Sequence, residues 1–201
     1  MKSKIALLFV MALLALNLSS ARAEDTKAPA APFTAEEMAK WQAYATPNEN
    51  HKVLEQAAGE WSYTCKMWME KDAPAQETKG NNTNKMILGG RFLQAESKGD
   101  FQGQPFEGIA ITGYDNQKKE YNSIWIDSMG TGMAISKAKY DPATQTLTEK
   151  GSFSCPLNDE VKFRSEWKFI DANHYTYSMY GKGKNNKGDE FKTMEIDYTR
   201  K

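Results

Sequence analysis

Between Glu60 and Arg200 the chain alternates hydrophobic and polar residues with a period of two, broken by short polar turns. Trp61, Tyr63, Cys65, Met67 and Met69 share one parity, and Ser62, Thr64 and Lys66 take the other. The alternation is cleanest from Val161 to Phe169, where Val161, Phe163, Trp167 and Phe169 interleave with Lys162, Arg164, Glu166 and Lys168. Tyr175, Tyr177 and Met179 repeat it, as do Met194, Ile196 and Tyr198. Such strands bury one face and wet the other, as antiparallel sheets do. The pattern predicts strands over 60–69, 83–88, 91–98, 106–114, 120–128, 132–140, 145–153, 160–170, 174–181 and 190–199. Between them lie Tyr114-Asp115-Asn116-Gln117, Tyr140-Asp141-Pro142-Ala143 and Ile170-Asp171-Ala172-Asn173, whose Asp and Asn side chains favour turns by bonding nearby backbone amides. Short links between successive antiparallel strands make a meander, and closing it removes the free edges. The expected fold is all-β, a closed antiparallel up-and-down barrel of about 8–10 strands.

Before the first strand the period is helical. Thr34-Ala35-Glu36-Glu37 reads as a capping box, followed by Met38, Trp41 and Tyr44/Ala45. A second start lies at Thr46-Pro47-Asn48-Glu49, its apolar stripe is Val53, Leu54 and Ala57/Ala58, and Gly59 ends it. Two short helices are thus expected over 34–58, ahead of a barrel domain over 59–201.

The first residues belong to another class. Lys2 and Lys4 precede an apolar stretch from Ile5 to Leu16, then Ser19-Ser20 and Ala21-Arg22-Ala23. A basic start, a short apolar core and a small-x-small end predict a signal peptide over 1–23, cleaved after Ala23. Its apolar core is shorter than the roughly 20 residues a membrane-crossing helix needs, so no transmembrane segment is expected after cleavage. The predicted location is periplasmic or secreted. Glu24 to Pro32, rich in Pro and Ala, reads as a flexible linker over 24–33.

Charge narrows the partners. The chain carries 26 basic and 26 acidic residues; removing Lys2, Lys4 and Arg22 leaves 23 against 26, a net charge of −3. No block of like charge suggests a nucleic-acid partner. The two cysteines, Cys65 and Cys155, would share an oxidising compartment, where they either pair or remain two separate buried thiols. Neither belongs to a Cys-x-x-Cys pair, which excludes a thioredoxin-like or zinc site.

Gly59-Glu60-Trp61 opens the barrel pattern and Tyr198-Thr199-Arg200 closes it. In lipocalin-like proteins a G-x-W triplet starts the first strand, and an Arg of the last strand packs over the Trp that plugs one end. Here Trp61 and Arg200 stand at the matching places. A closer resemblance spans His51 to Lys201. It rests on His51-Lys52-Val53-Leu54, Leu88-Gly89-Gly90-Arg91-Phe92-Leu93 and Pro105-Phe106-Glu107-Gly108, with Gly113-Tyr114-Asp115, Trp125-Ile126-Asp127-Ser128-Met129-Gly130-Thr131-Gly132 and Met194-Glu195-Ile196. In these segments the chain resembles a family of exported bacterial proteins catalogued as domain of unknown function 1579. The resemblance implies a lipocalin-like (calycin-type) barrel and no assigned activity.

Candidate chemistry is sparse. Trp125 and Asp127 stand at the densest polar-aromatic cluster, where Asp127 is either a rim or lumen acid or a turn cap. Arg91 and Arg164 could meet Asp127 or Glu195 inside the barrel as an anion clamp, although the alternation places Arg164 on the wet side. With Tyr177 on the apolar parity, the candidate ligand-contacting set is Arg91, Trp125, Asp127, Arg164, Tyr177 and Glu195. His51 and His174 are the only histidines and are expected exposed; either could serve as an axial haem ligand in principle, but no spacing supports it. No metal site and no cofactor are expected. The methionines read as core filler rather than copper ligands. No Gly-x-Ser-x-Gly elbow is present, so no catalytic residue is assigned. The expected function is the binding of a small, mostly apolar or amphipathic molecule in the lumen. The alternatives are an enzyme using lumen or rim carboxylates, and a packed structural or stress protein without a ligand.

Overall fold

The computed structural model describes residues 33–183 and 187–201, and Ala35–Lys201 forms one compact unit. The leader, its cleavage point after Ala23 and the linker up to Pro32 lie outside the described residues. Two helices, α1 (Ala35–Ala45) and α2 (Glu49–Glu55), precede ten strands. These are β1 (Gly59–Met67), β2 (Gln76–Ile87), β3 (Phe92–Phe101), β4 (Gln104–Asp115), β5 (Glu120–Asp127), β6 (Ala134–Asp141), β7 (Thr146–Cys155), β8 (Asp159–Asp171), β9 (His174–Gly181) and β10 (Phe191–Arg200). Each strand pairs antiparallel with the next, and β10 returns to β1, so the sheet closes into a barrel. Closure is in register from Trp61↔Arg200 to Met67↔Met194.

The expected alternation holds along most strands. On β1 Trp61, Tyr63 and Cys65 are buried while Glu60, Ser62 and Lys66 are exposed. The main departure is β2, which begins at Gln76 rather than near residue 83. Its inward positions are Thr78, Gly80, Asn82 and Asn84, which carry no hydrophobic signal. They face inward because their polar atoms find partners there: Asn82 Nδ2 donates to Asn84 Oδ1 at 2.6 Å, and Asn84 Nδ2 to the Ala57 carbonyl at 2.7 Å.

One end of the barrel is sealed by α2. Asn48 caps that helix by accepting from Asn50 N at 2.9 Å, and its own N–H donates to His51 Nδ1 at 3.0 Å, which completes a capping box. The helix lays Leu54 against the barrel, fully buried together with Ala57 of the turn that follows and Trp61 of β1. Three turns at this end use one device, in which Asp115, Asp141 and Asp171 each accept from an amide two residues on. Asn116 in the first of these turns donates to the Tyr44 and Thr46 carbonyls and accepts from Asn48 Nδ2, which pins the link between α1 and α2.

Cys65 and Cys155 are both free thiols, so the disulfide does not form. The strand order explains it. β1 and β7 are separated by β10, β9 and β8, on opposing walls of the barrel. Four steps of about 4.8 Å around the wall lie far beyond the roughly 7 Å a bridge tolerates.

Candidate functional site

Parity along the ten strands defines an inner wall that changes character from end to end. At the α2 end it is packed solid: Trp61, Leu93, Thr112, Tyr121 and Leu147 are all under 2% exposed. Trp61 donates its indole N–H to the Ala57 carbonyl at 2.9 Å and meets Tyr175 edge-on at 4.6 Å. Arg200 covers the other side of Trp61, its guanidinium 4.1 Å from the ring centre. That guanidinium also donates to the Ala172 carbonyl at 2.7 Å and the Ala58 carbonyl at 2.8 Å.

Toward the opposite end the wall opens. Tyr177, Trp167, Ile196, Met179, Met194 and Ser123 all keep partial exposure although each lies on the inward parity. Tyr177 is the most telling. It sits deep enough for burial to push its phenol far above the ordinary value, yet part of its surface remains accessible. A side chain enclosed by protein and still reachable by solvent lines an internal space. The lumen is therefore blind at α2 and less tightly filled toward its mouth, where the connections 68–75, 128–133 and 156–158 lie.

At the mouth, Trp125 lies flat across Gly108, whose missing Cβ would sit 2.3 Å from the ring. Its Nε1–H donates to Asp127 Oδ2 at 2.7 Å, and the other carboxylate oxygen accepts from Met129 N at 2.9 Å. Phe106 stacks beside the indole at 6.3 Å. Trp125 and Asp127 thus form a fixed aromatic shelf, and Asp127 also caps the turn. Phe153 and Phe163, tilted against each other at 6.1 Å, line the next stretch of rim.

The other candidates scatter. Arg164 projects outward, lies 3.9 Å over the Tyr180 ring and is bound by Glu166 and by Glu190 at 2.8 Å. A groove on this outer face passes Lys162, Arg164, Tyr180 and Glu190, but Arg164 there is already committed. Glu195 pairs across β1 with Lys66 on the outer face and is bound by Lys192, so it does not share the lumen with Asp127. Arg91 sits in the β2–β3 turn at the blind end, donating to the Leu88 carbonyl at 2.9 Å.

His51, expected exposed, is 4% exposed; its Nδ1 accepts from Asn48, and its ring meets Tyr114 edge-on at 5.8 Å. Burial first, then the nearby Arg91 charge, pushes its pKa down. His174 lies on the outer face, with Nε2 2.8 Å from Asp197 Oδ2. Neither histidine points into the lumen. Among the described residues no cluster of three or more metal-ligating side chains occurs.

Sequence reasoning missed the polar band at mid-depth. Glu149 of β7 is 3% exposed, accepting from Ser165 Oγ at 2.5 Å and Ser136 Oγ at 3.3 Å. Burial pushes its pKa up, against the pull of Ser165 and Ser136. Trp167 Nε1 is buried without a hydrogen bond of its own, close enough to Glu149 to favour the charged form. The signal was present in Leu147, Glu149, Gly151 and Phe153, where an acid shares the parity of hydrophobic residues.

With that geometry established, comparison with known proteins places the chain. The family model for the protein of unknown function DUF1579 matches residues 46–200. The chain belongs to the DUF1579 family. No curated protein matches it. Among solved structures it is similar to the crystal structure of Rv2717c from M. tuberculosis, at 13% identity and a TM-score of 0.58, over 78% of this chain and 99% of that one. At that identity the likeness speaks for the fold alone. The DUF1579 chain described here is thus a closed ten-strand antiparallel barrel, consistent with the lipocalin-like description. No described helix is long and apolar enough to cross a membrane.

Proposed function

We propose that this DUF1579 protein is an exported binder that holds a small, mostly apolar molecule in its lumen. The observation that carries the reading is the inner wall away from α2, where Trp167, Tyr177, Met179, Met194 and Ile196 lie on the inward parity and stay partly exposed. That wall is mainly aromatic and methionine, with a few polar groups fixed in place, the composition of small-molecule sites in general. Methionines at 67, 179 and 194 give one side of the wall adaptable surface, while Trp125 and Phe106 give the other a rigid one. The basic, apolar, small-residue leader supports secretion, with cleavage after Ala23.

Binding of the neutral dye Nile red, followed by its fluorescence, tests the lumen directly. The mature chain should bind it saturably, and Ala134→Trp, which places a large ring on the inner face of β6 at the mouth, should abolish the saturable component. A dye signal indifferent to that substitution would mean a surface site and would end the lumen reading. N-terminal sequencing of protein from its source should give Glu24 as the first residue, and an intact Met1 would refute export.

A further inference from the structure

The barrel wall separates charge by face. On the described strands the lysines fall on the outer parity, Lys66, Lys137, Lys150 and Lys162 among them, and Arg164 joins them. Arg200 belongs to the plug, with its guanidinium committed to Trp61 and backbone carbonyls. The acids break the rule. Glu149 stands on the inner parity at mid-depth, and Asp127 and Asp159 stand at the mouth. What faces Glu149 from the neighbouring strands is Ser136 of β6, Ser165 and Trp167 of β8 and Tyr177 of β9, none of them a cation.

Among the described strand residues the inward parity thus carries carboxylates and, outside the Arg200 plug, no lysine or arginine, a distribution that favours a cation over an anion inside. Taking the lumen as the ligand site, we propose that its ligand is a small amine with an apolar body, the ammonium lodged beside Glu149. Three features favour this class. Burial disfavours the Glu149 carboxylate, its Ser136 and Ser165 partners carry no charge, and a cation at its side removes that cost. Trp167 and Tyr177, meeting edge-on at 6.0 Å and 76°, offer ring faces on which an ammonium is attracted. The Trp125–Phe106 shelf and the Met67, Met179 and Met194 side chains then cover the apolar remainder. A fatty-acid-like carboxylate, by contrast, would enter against Asp127 and Glu149 with no inward lysine or arginine of the described strands beside them to pair it.

Three probes sharing one alkyl chain separate the classes: dodecylamine, dodecanol and dodecanoate, titrated below their micellar concentrations into the mature chain and followed calorimetrically. Dodecylamine should bind roughly tenfold or more tighter than dodecanol, and dodecanoate weakest. Glu149→Gln should bring dodecylamine down toward dodecanol. Equal affinity for amine and alcohol, or tighter binding of dodecanoate, would overturn the amine assignment and leave the lumen reading standing. Binding of none of the three, together with loss of the Nile red signal, would overturn both. An amine preference that survives Glu149→Gln would remove Glu149 from the site. The wild-type comparison decides the ligand class whether or not the variant folds.

Discussion

Arg200, the last residue of β10, lies 4.1 Å over the ring of Trp61, the third residue of β1, and ties the seam of the barrel to the cap above it. Three of its hydrogen bonds reach backbone carbonyls, at Gln56, Ala58 and Ala172. Trp61→Ala removes a fully buried ring and should cost about 3–5 kcal/mol. Arg200→Ala removes a half-desolvated cation–π contact, about 1–2 kcal/mol, together with its carbonyl bonds. Urea denaturation should show the first variant largely unfolded and the second folded with a lowered midpoint. A wild-type midpoint for Arg200→Ala would deny the seam its role.

Both thiols should titrate in the unfolded, unreduced protein, since neither is paired. In the folded state Cys155, half-buried near the mouth, should react first. Cys65 is buried, and burial pushes its thiol up to about 11, so it should react only at the rate of unfolding. No reactive thiol after complete unfolding without reduction would mean that the two are bridged and would contradict the strand separation.

Glu149 makes stability depend on pH in a defined direction. The unfolded carboxyl ionises near 4.5, whereas burial in the fold holds its proton to higher pH. The contribution of this group is full below about 4.5 and is lost as pH rises through the folded value. Glu149→Gln, which never ionises, should therefore gain on the wild type between pH 4 and pH 7 when urea midpoints are compared. A constant difference across that range would mean that the carboxyl is solvated.

His51 acts with the opposite sign. Its folded pKa is depressed below the ordinary 6.5, so its contribution is present above that value and lost as pH falls through the folded one. Gln is a natural occupant of the third helical position in a capping box and does not titrate. His51→Gln should thus lose less stability than the wild type between pH 7 and pH 5, as read by thermal midpoints. Parallel losses in the two proteins would place the histidine outside the titration.

Much of this fold was legible because the hydrophobic alternation is strong wherever the inner wall is packed or lined by large side chains. β1, β8, β9 and β10 show it, and Trp61 and Arg200 follow from register alone once the meander closes. The rest hid where polar residues face inward. Asn82 and Asn84 on β2 look like a loop in sequence because the Ser97 hydroxyl that satisfies the first, and the Tyr175 hydroxyl and Ala57 carbonyl that satisfy the second, come from other segments. Glu149 hid for the same reason, since its two serines come from β6 and β8. Glu195 misled in the other direction. Its neighbours Met194 and Ile196 point inward, and one step along the strand turns a side chain to the opposite face.

Because β1 finds its second neighbour only in β10, the barrel has a synthesis order built into it. Nine strands can pair with their successors as they emerge, but the seam from Trp61↔Arg200 to Met67↔Met194 waits for β10. Contacts of such long sequence separation are slow to form, and until they do β1 and β9 each present an open edge. A chain shortened by its last strand would accordingly be a curled, sticky sheet rather than a smaller barrel, and the ten C-terminal strand residues decide when folding can finish.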